Sequence, residues 1–127
     1  MPEVTITLFT SYCGAGRIGK AEFRYVLSCA GAKIEGSGHL VNTTGGRLAM
    51  TALIEALKRM RKPSVITILT DCNYLIQGWQ QAMEWEKNGW LRGNGKEVKN
   101  ADLWKEIMRL QKGHAVRYQY KTQAEWV

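Results

Sequence analysis

Hydrophobic and polar positions change period several times along the chain, and each change marks an element. Residues 3–12 (EVTITLFTSY) alternate and are rich in β-branched side chains, which predicts a strand. The glycine-rich CGAGRIG at 13–19 predicts a turn. Residues 21–29 and 33–41 predict two more strands, joined through Ala30-Gly31-Ala32 as a tight hairpin. Three sequential strands with such short connections make an antiparallel meander.

The period then lengthens. Between Gly46 and Lys62, Met50, Leu53, Leu57 and Met60 recur at spacings of three and four, the stripe of a helix. Lys58, Arg59, Arg61 and Lys62 fall in its last turns, where cations suit the helix dipole, and Pro63 helps to stop it. Residues 64–70 (SVITILT) form a nearly continuous apolar run, as in a strand buried on both faces. A helix is predicted to begin after Asp71. The glycines and asparagines within 84–99 predict a loop or a broken helix. Asn100 then reads as an N-cap, with Leu103, Ile107 and Leu110 on one face and Lys112-Gly113 closing the helix. AVRYQY at 115–120 alternates as a last strand. Trp79 and Trp104 sit at helical spacing beside apolar neighbours and read as core. The order β-β-β-α-β-α-α-β specifies an α/β domain with a central mixed sheet.

Composition adds limits. The chain has 127 residues, one domain's worth, with 18 Lys plus Arg against 11 Asp plus Glu and a formal charge of +7. That balance suits a polyanionic partner. No run approaches the roughly 18 apolar residues of a membrane span, and MPEVTITLF shows no secretory pattern. Cys13, Cys29 and Cys72 are odd in number and form no CxxC pair, with His39 and His114 the only histidines. Free thiols in the cytoplasm are the expectation, not a disulfide scaffold or a zinc site.

Specific words in this order carry a family resemblance: ITLFT, NTTGGRLAMTALIEAL at 42–57, VITILTDCNYLIQGW at 65–79, NGWLRGNGKEVKNADLW at 88–104, and VRYQY at 116–120. Together they resemble type 1 ribonuclease H over almost the whole chain, and NGW…VKNADLW resembles the basic handle of the bacterial enzymes. The resemblance implies a ribonuclease H-like fold with a five-stranded mixed sheet and helices on both faces. It implies a single domain, 1–127, that stops before the family's last helix.

Such enzymes cleave the RNA strand of an RNA–DNA hybrid with two Mg²⁺ ions held by four carboxylates, which neutralise a dication pair about 4 Å apart. The resemblance implies that most of these carboxylates are missing here. The first position falls on Ser11, the second on Ala49, and only the third is retained, as Asp71. The fourth belongs to the absent helix. Glu55, six residues beyond Ala49, is too far along its helix to substitute, and Glu125 is a weak candidate near the family's histidine-bearing loop. Asp71 alone is thus the catalytic and metal candidate. No cofactor is expected, with Mg²⁺ or Mn²⁺ implied only if activity remains.

Substrate-reading positions are partly eroded as well, and the handle-like region is better preserved. Thr44 survives before the first helix, followed by Gly45 and Gly46, whose backbone N–H groups are candidates for a phosphate. A flexible helix entry explains those glycines equally well. Asn73 stands where the family has a glutamine. Trp85, Lys87, Trp90, Arg92, Lys96 and Lys99 interleave aromatics with cations, as phosphate and sugar contacts require, although Glu84, Glu86 and Glu97 dilute the charge. Packing of Trp85 and Trp90 onto the domain is the competing reading. Asn100 matches a position that touches the DNA strand.

Three functions follow. The first is a catalytically inactive ribonuclease H-like protein that binds an RNA–DNA hybrid or duplex. The second is an active hybrid ribonuclease with a rebuilt metal site. The third is a protein-interaction module, with homodimerisation through the apolar sheet face that the missing helix would uncover.

Overall fold

The computed structural model describes residues 1–122. β1 (Glu3–Thr10), β2 (Ile18–Cys29) and β3 (Ala32–Thr43) form the expected meander. Then come α1 (Gly45–Leu57), β4 (Val65–Thr70), α2 (Asn73–Lys87), α3 (Ala101–Gln111) and β5 (Ala115–Tyr120). The sheet order is β3-β2-β1-β4-β5, with β4 parallel to both β1 and β5.

One phase of each central strand is buried. Val4, Ile6 and Leu8 of β1 lie beside Leu27, Tyr25 and Phe23 of β2 and beside Ile66 and Ile68 of β4. α1 covers this face through Leu48, Met50, Leu53 and Leu57, with α2 and α3 beside it. Trp104 of α3 is fully buried as expected, and its indole lies on α2 where Gly78 leaves room; a Cβ at Gly78 would collide with the ring. Trp79 is only half-buried and stacks on Tyr118 of β5, with centroids 5.0 Å apart.

The opposite face departs from expectation. Among the described residues all three helices lie on one side, so helices do not flank both faces. The open side is not an apolar surface either. Thr5, Thr7, Ser28, Thr67, Arg117 and Gln119 share it with Phe9, Val26 and Leu69. Arg24 caps the Phe9 ring at 4.1 Å, and Arg117 Nε donates to Thr67 Oγ1 at 3.2 Å.

Several boundaries also move. Ile18, Gly19 and Lys20 belong to β2, because they pair with β3 as far as Ile18 opposite Thr43. α1 stops at Leu57, so the cations from Lys58 onward lie in a tightened turn, where Arg59 N donates to Ala56 O and Met60 N to Leu57 O. Those side chains offer no apolar stripe to bury, and Arg59 Nη1 instead donates to the Tyr25 hydroxyl at 3.2 Å. α2 runs on through Lys87, since Leu75, Gly78, Ala82 and Trp85 continue one inward stripe.

Candidate nucleic-acid interface

Parallel β1 and β4 place their carboxyl ends side by side, where ligands enter open α/β sheets. A groove of about 220 Å³ lies there. It is bordered by the loop after β1, the start of α1, the turn from β4 into α2, and the residues ahead of α3. All three helices therefore present their amino-terminal ends to it, where unpaired N–H groups and the macrodipole favour an anion.

Of the expected residues, Thr44, Gly46, Asp71, Asn73, Lys99 and Asn100 come together here. Thr44 caps α1, its Oγ1 accepting from Arg47 N at 3.3 Å. Gly45 does not line the groove. It is buried against the Cys13 backbone, and its N–H donates to Gly14 O at 2.9 Å, so that N–H is not offered to a phosphate. A Cβ on Gly46 would press on the Tyr74 ring. Close packing, not a flexible entry, requires both glycines.

Tyr74 is the organising residue that sequence reading missed. Its hydroxyl accepts from Asn100 Nδ2 at 3.0 Å and Trp104 Nε1 at 3.2 Å, and donates to Lys99 O at 3.3 Å. Lys99 Nζ lies 5.9 Å from the centre of the same ring. Asn100 is not the side-chain N-cap that the sequence suggests. Its backbone is left-handed (φ 58°), its carbonyl accepts from Leu103 N and Trp104 N, and its side chain makes no cap bond to α3. Asn100 Oδ1 instead accepts from Arg47 Nη1 at 2.9 Å.

Arg47 was missed as well. It reaches from α1 to Asp102 with two bonds, Nη1 to Oδ1 at 3.2 Å and Nη2 to Oδ2 at 3.0 Å. The paired hydrogen bonds hold the Asp102 carboxyl below the ordinary carboxylate range and raise the Arg47 guanidinium. A sequence signal existed. An arginine in the first turn of a helix opposes the macrodipole and so calls for an acidic partner.

The handle divides in two. Trp90 is buried, with φ +66°, and exchanges backbone bonds with Trp85 and Val98, so it is a packing residue and not a base platform. Trp85 is half-buried and meets Trp104 edge-on, centroids 6.1 Å apart. It also lines a shallow depression with Tyr74, Arg92 and Lys99. Lys87 and Lys96 are exposed and line neither hollow.

Ser11 and Ala49, which the sequence resemblance assigns to carboxylate positions, do not line the groove. Ser11 extends the β1–β2 pairing: its N–H donates to Glu22 O at 3.0 Å and its Oγ accepts from Glu22 N at 2.8 Å. Ala49 is fully buried in α1. Beside Asp71, Cys72 is buried, and desolvation pushes its thiol up although the Leu75 and Tyr74 N–H groups oppose this. Among the described residues no three His, Cys, Asp or Glu side chains gather as metal ligands. These residues do not fit a two-metal centre. Glu125 lies outside the described residues.

Comparison with known proteins accords with this geometry. The RNase H family model matches residues 3–122. Ribonuclease H of Thermoanaerobacter sp. (strain X514) is 34% identical over 117 residues, covering 89% of this chain and 74% of that protein. Ribonuclease H of Chlorobaculum parvum is 36% identical over 120 residues, covering 91% and 81%. Among solved structures, LC9-RNase H1, a type 1 RNase H with the type 2 active-site motif, superposes with a TM-score of 0.78 at 24% identity. That match covers 97% of this chain, which spans 64% of the LC9 chain. The foamy viral protease-reverse transcriptase in complex with RNA/DNA hybrid superposes at 0.65 with 15% identity, over 98% of this chain and 18% of that one. These two likenesses bear on the fold alone. The chain belongs to the ribonuclease H family.

Proposed function

We propose that this protein binds an RNA–DNA hybrid or duplex in the groove at the carboxyl ends of β1 and β4 and does not cleave it. One observation carries the reading. The candidate phosphate contacts, Thr44, Asn73, Lys99, Asn100 and three helix amino-termini, border one groove, while Ser11 and Ala49 stand hydrogen-bonded and buried where the resemblance places carboxylates. The foamy viral relative of this fold has been seen both with RNA/DNA hybrid and with double-stranded DNA, which supports the substrate class. A +7 charge adds long-range attraction. Cys13, Cys29 and Cys72 are free thiols, which suits the cytoplasm, and among the described residues no helix is long and apolar enough to cross a membrane.

Titrating hybrid, duplex DNA and single strands across salt concentrations tests binding. A steep fall of affinity with salt is expected for the two duplex forms. Absence of binding at low salt would leave the interaction-module reading. Incubation of labelled hybrid with Mg²⁺ or Mn²⁺ tests inactivity, with Asp71→Asn as control. Cleavage abolished by that substitution would establish the second reading, an active enzyme with a rebuilt metal site.

A further inference from the structure

β3 is an edge strand, and among the described residues none pairs with its outer side. It is long, from Ala32 to Thr43, with Ile34 and Val41 exposed at 41% and 69%. Exposed edges of this length template pairing with another strand unless something blunts them. The hairpin fixes which groups point outward. Ala30 and Gly31 both have positive φ and join Cys29 to its partner Ala32, the two-residue turn whose flanking pair is hydrogen-bonded. Bonded pairs alternate from there, so Ile34, Gly36, Gly38 and Leu40 bond to β2. Lys33, Glu35, Ser37, His39 and Val41 turn their backbone groups away from the sheet.

We propose that a second copy of this chain pairs with that edge, antiparallel and centred on Ser37, joining two five-stranded sheets into one. In this register Glu35 faces His39 of the second copy, Lys33 faces Val41, and Ser37 faces its own counterpart. Ile34 meets Leu40 on the helix-covered side, and Gly36 meets Gly38. The rings of Tyr25 and Phe23 lie over those two glycines, at positions where a Cβ would collide with them.

Charge selects the register. Arg24 pairs with Glu35 at 3.8 Å, and Glu22 lies opposite His39 in the hairpin. The seam therefore continues an alternating row: Arg24, Glu35, then His39 and Glu22 of the second copy. A slip of two residues one way sets Lys33 against His39, and a further slip sets Glu35 against itself. A slip the other way sets Glu35 against Val41 and Ile34 against Asn42. Only the Ser37-centred register satisfies both faces, since cross-strand pairs decide pairing.

The test is charge exchange read by analytical ultracentrifugation. Wild-type protein is expected to form a concentration-dependent dimer. Glu35→Lys sets lysine against His39 and His39→Glu sets glutamate against Glu35, so each variant alone should associate about tenfold more weakly or less still. An equimolar mixture of the two sets the introduced lysine against the introduced glutamate at one pair and keeps Glu35 against His39 at the other, and should recover the dimer, which a merely structural role for either residue would not do. Circular dichroism melts check that each variant is folded. If one is not, Ser37→Pro, which removes an outward N–H from an edge strand, takes its place and should be monomeric. A wild-type protein monomeric up to millimolar concentration would overturn the proposal. So would a dimer indifferent to these substitutions, or a mixture that stays monomeric.

Discussion

The groove and the two positions beside it, Ser11 and Ala49, are built differently. On the side of Tyr74, Lys99 and Asn100, polar groups are locked by hydrogen bonds that cross between α1, α2 and α3. On the side of the lost carboxylates, Ser11 is absorbed into the β1–β2 pairing and Ala49 into the core. Ala49 has no exposure, so an acid there would disturb the fold, whereas exposed Ser11 leaves room for one. On the proposed reading, binding and cleavage separate along an anatomical line: phosphate recognition needs donors on rigid elements, whereas two-metal hydrolysis needs clustered carboxylates.

The largest break in that contrast comes from reinstating the acid in α1. Ala49→Glu forces a carboxylate into a site with no exposure, and unless it escapes to the groove it should cost about 3–5 kcal/mol in urea unfolding. Undiminished stability together with Mn²⁺ binding would show that the metal half is intact in all but sequence. Next comes the recognition half. Tyr74→Phe leaves Asn100 Nδ2 and Trp104 Nε1 without their acceptor, for about 1–3 kcal/mol of stability, and should weaken duplex binding several-fold. Loss of stability with unchanged affinity would separate the network from binding.

Much of this was legible in advance, for physical reasons. Strands announced themselves by their period of two, and the meander by connections too short for anything else. The end of α2 was misread because glycines and asparagines beyond Glu84 outweighed the stripe of Leu75, Gly78, Ala82 and Trp85. Asp71 and Asn73 were named from the family resemblance, and both line the groove. Tyr74 was not, because its role rests on Lys99, Asn100 and Trp104, which tertiary packing alone brings near. Trp90 was open between phosphate or sugar contact and packing; its left-handed backbone and its burial, which favour packing, leave no trace in composition.

Smaller effects sharpen the same line. The Asp102 carboxyl titrates below its unfolded value because Arg47 holds it. Its stabilisation is therefore complete above the unfolded value of about 4 and disappears as pH falls through the lower, folded one. Asp102 is largely exposed, so the loss is about 1 kcal/mol or less, and Asp102→Asn should flatten unfolding midpoints measured between pH 5 and pH 2 by that amount. An unchanged pH slope would mean that Arg47 is held by Asn100 alone.

Ser11→Ala is the smallest change and the most direct test of the other half. The exposed Oγ accepts a single bond from Glu22 N, and water can replace it, so about 0.5 kcal/mol is expected. Duplex affinity should not move, because Ser11 sits outside the groove in a shallow hollow with Phe9, Glu22 and Arg24. A fall in affinity with Ser11→Ala comparable to that of Tyr74→Phe would erase the division, since the residue at a lost metal position would then be touching the nucleic acid.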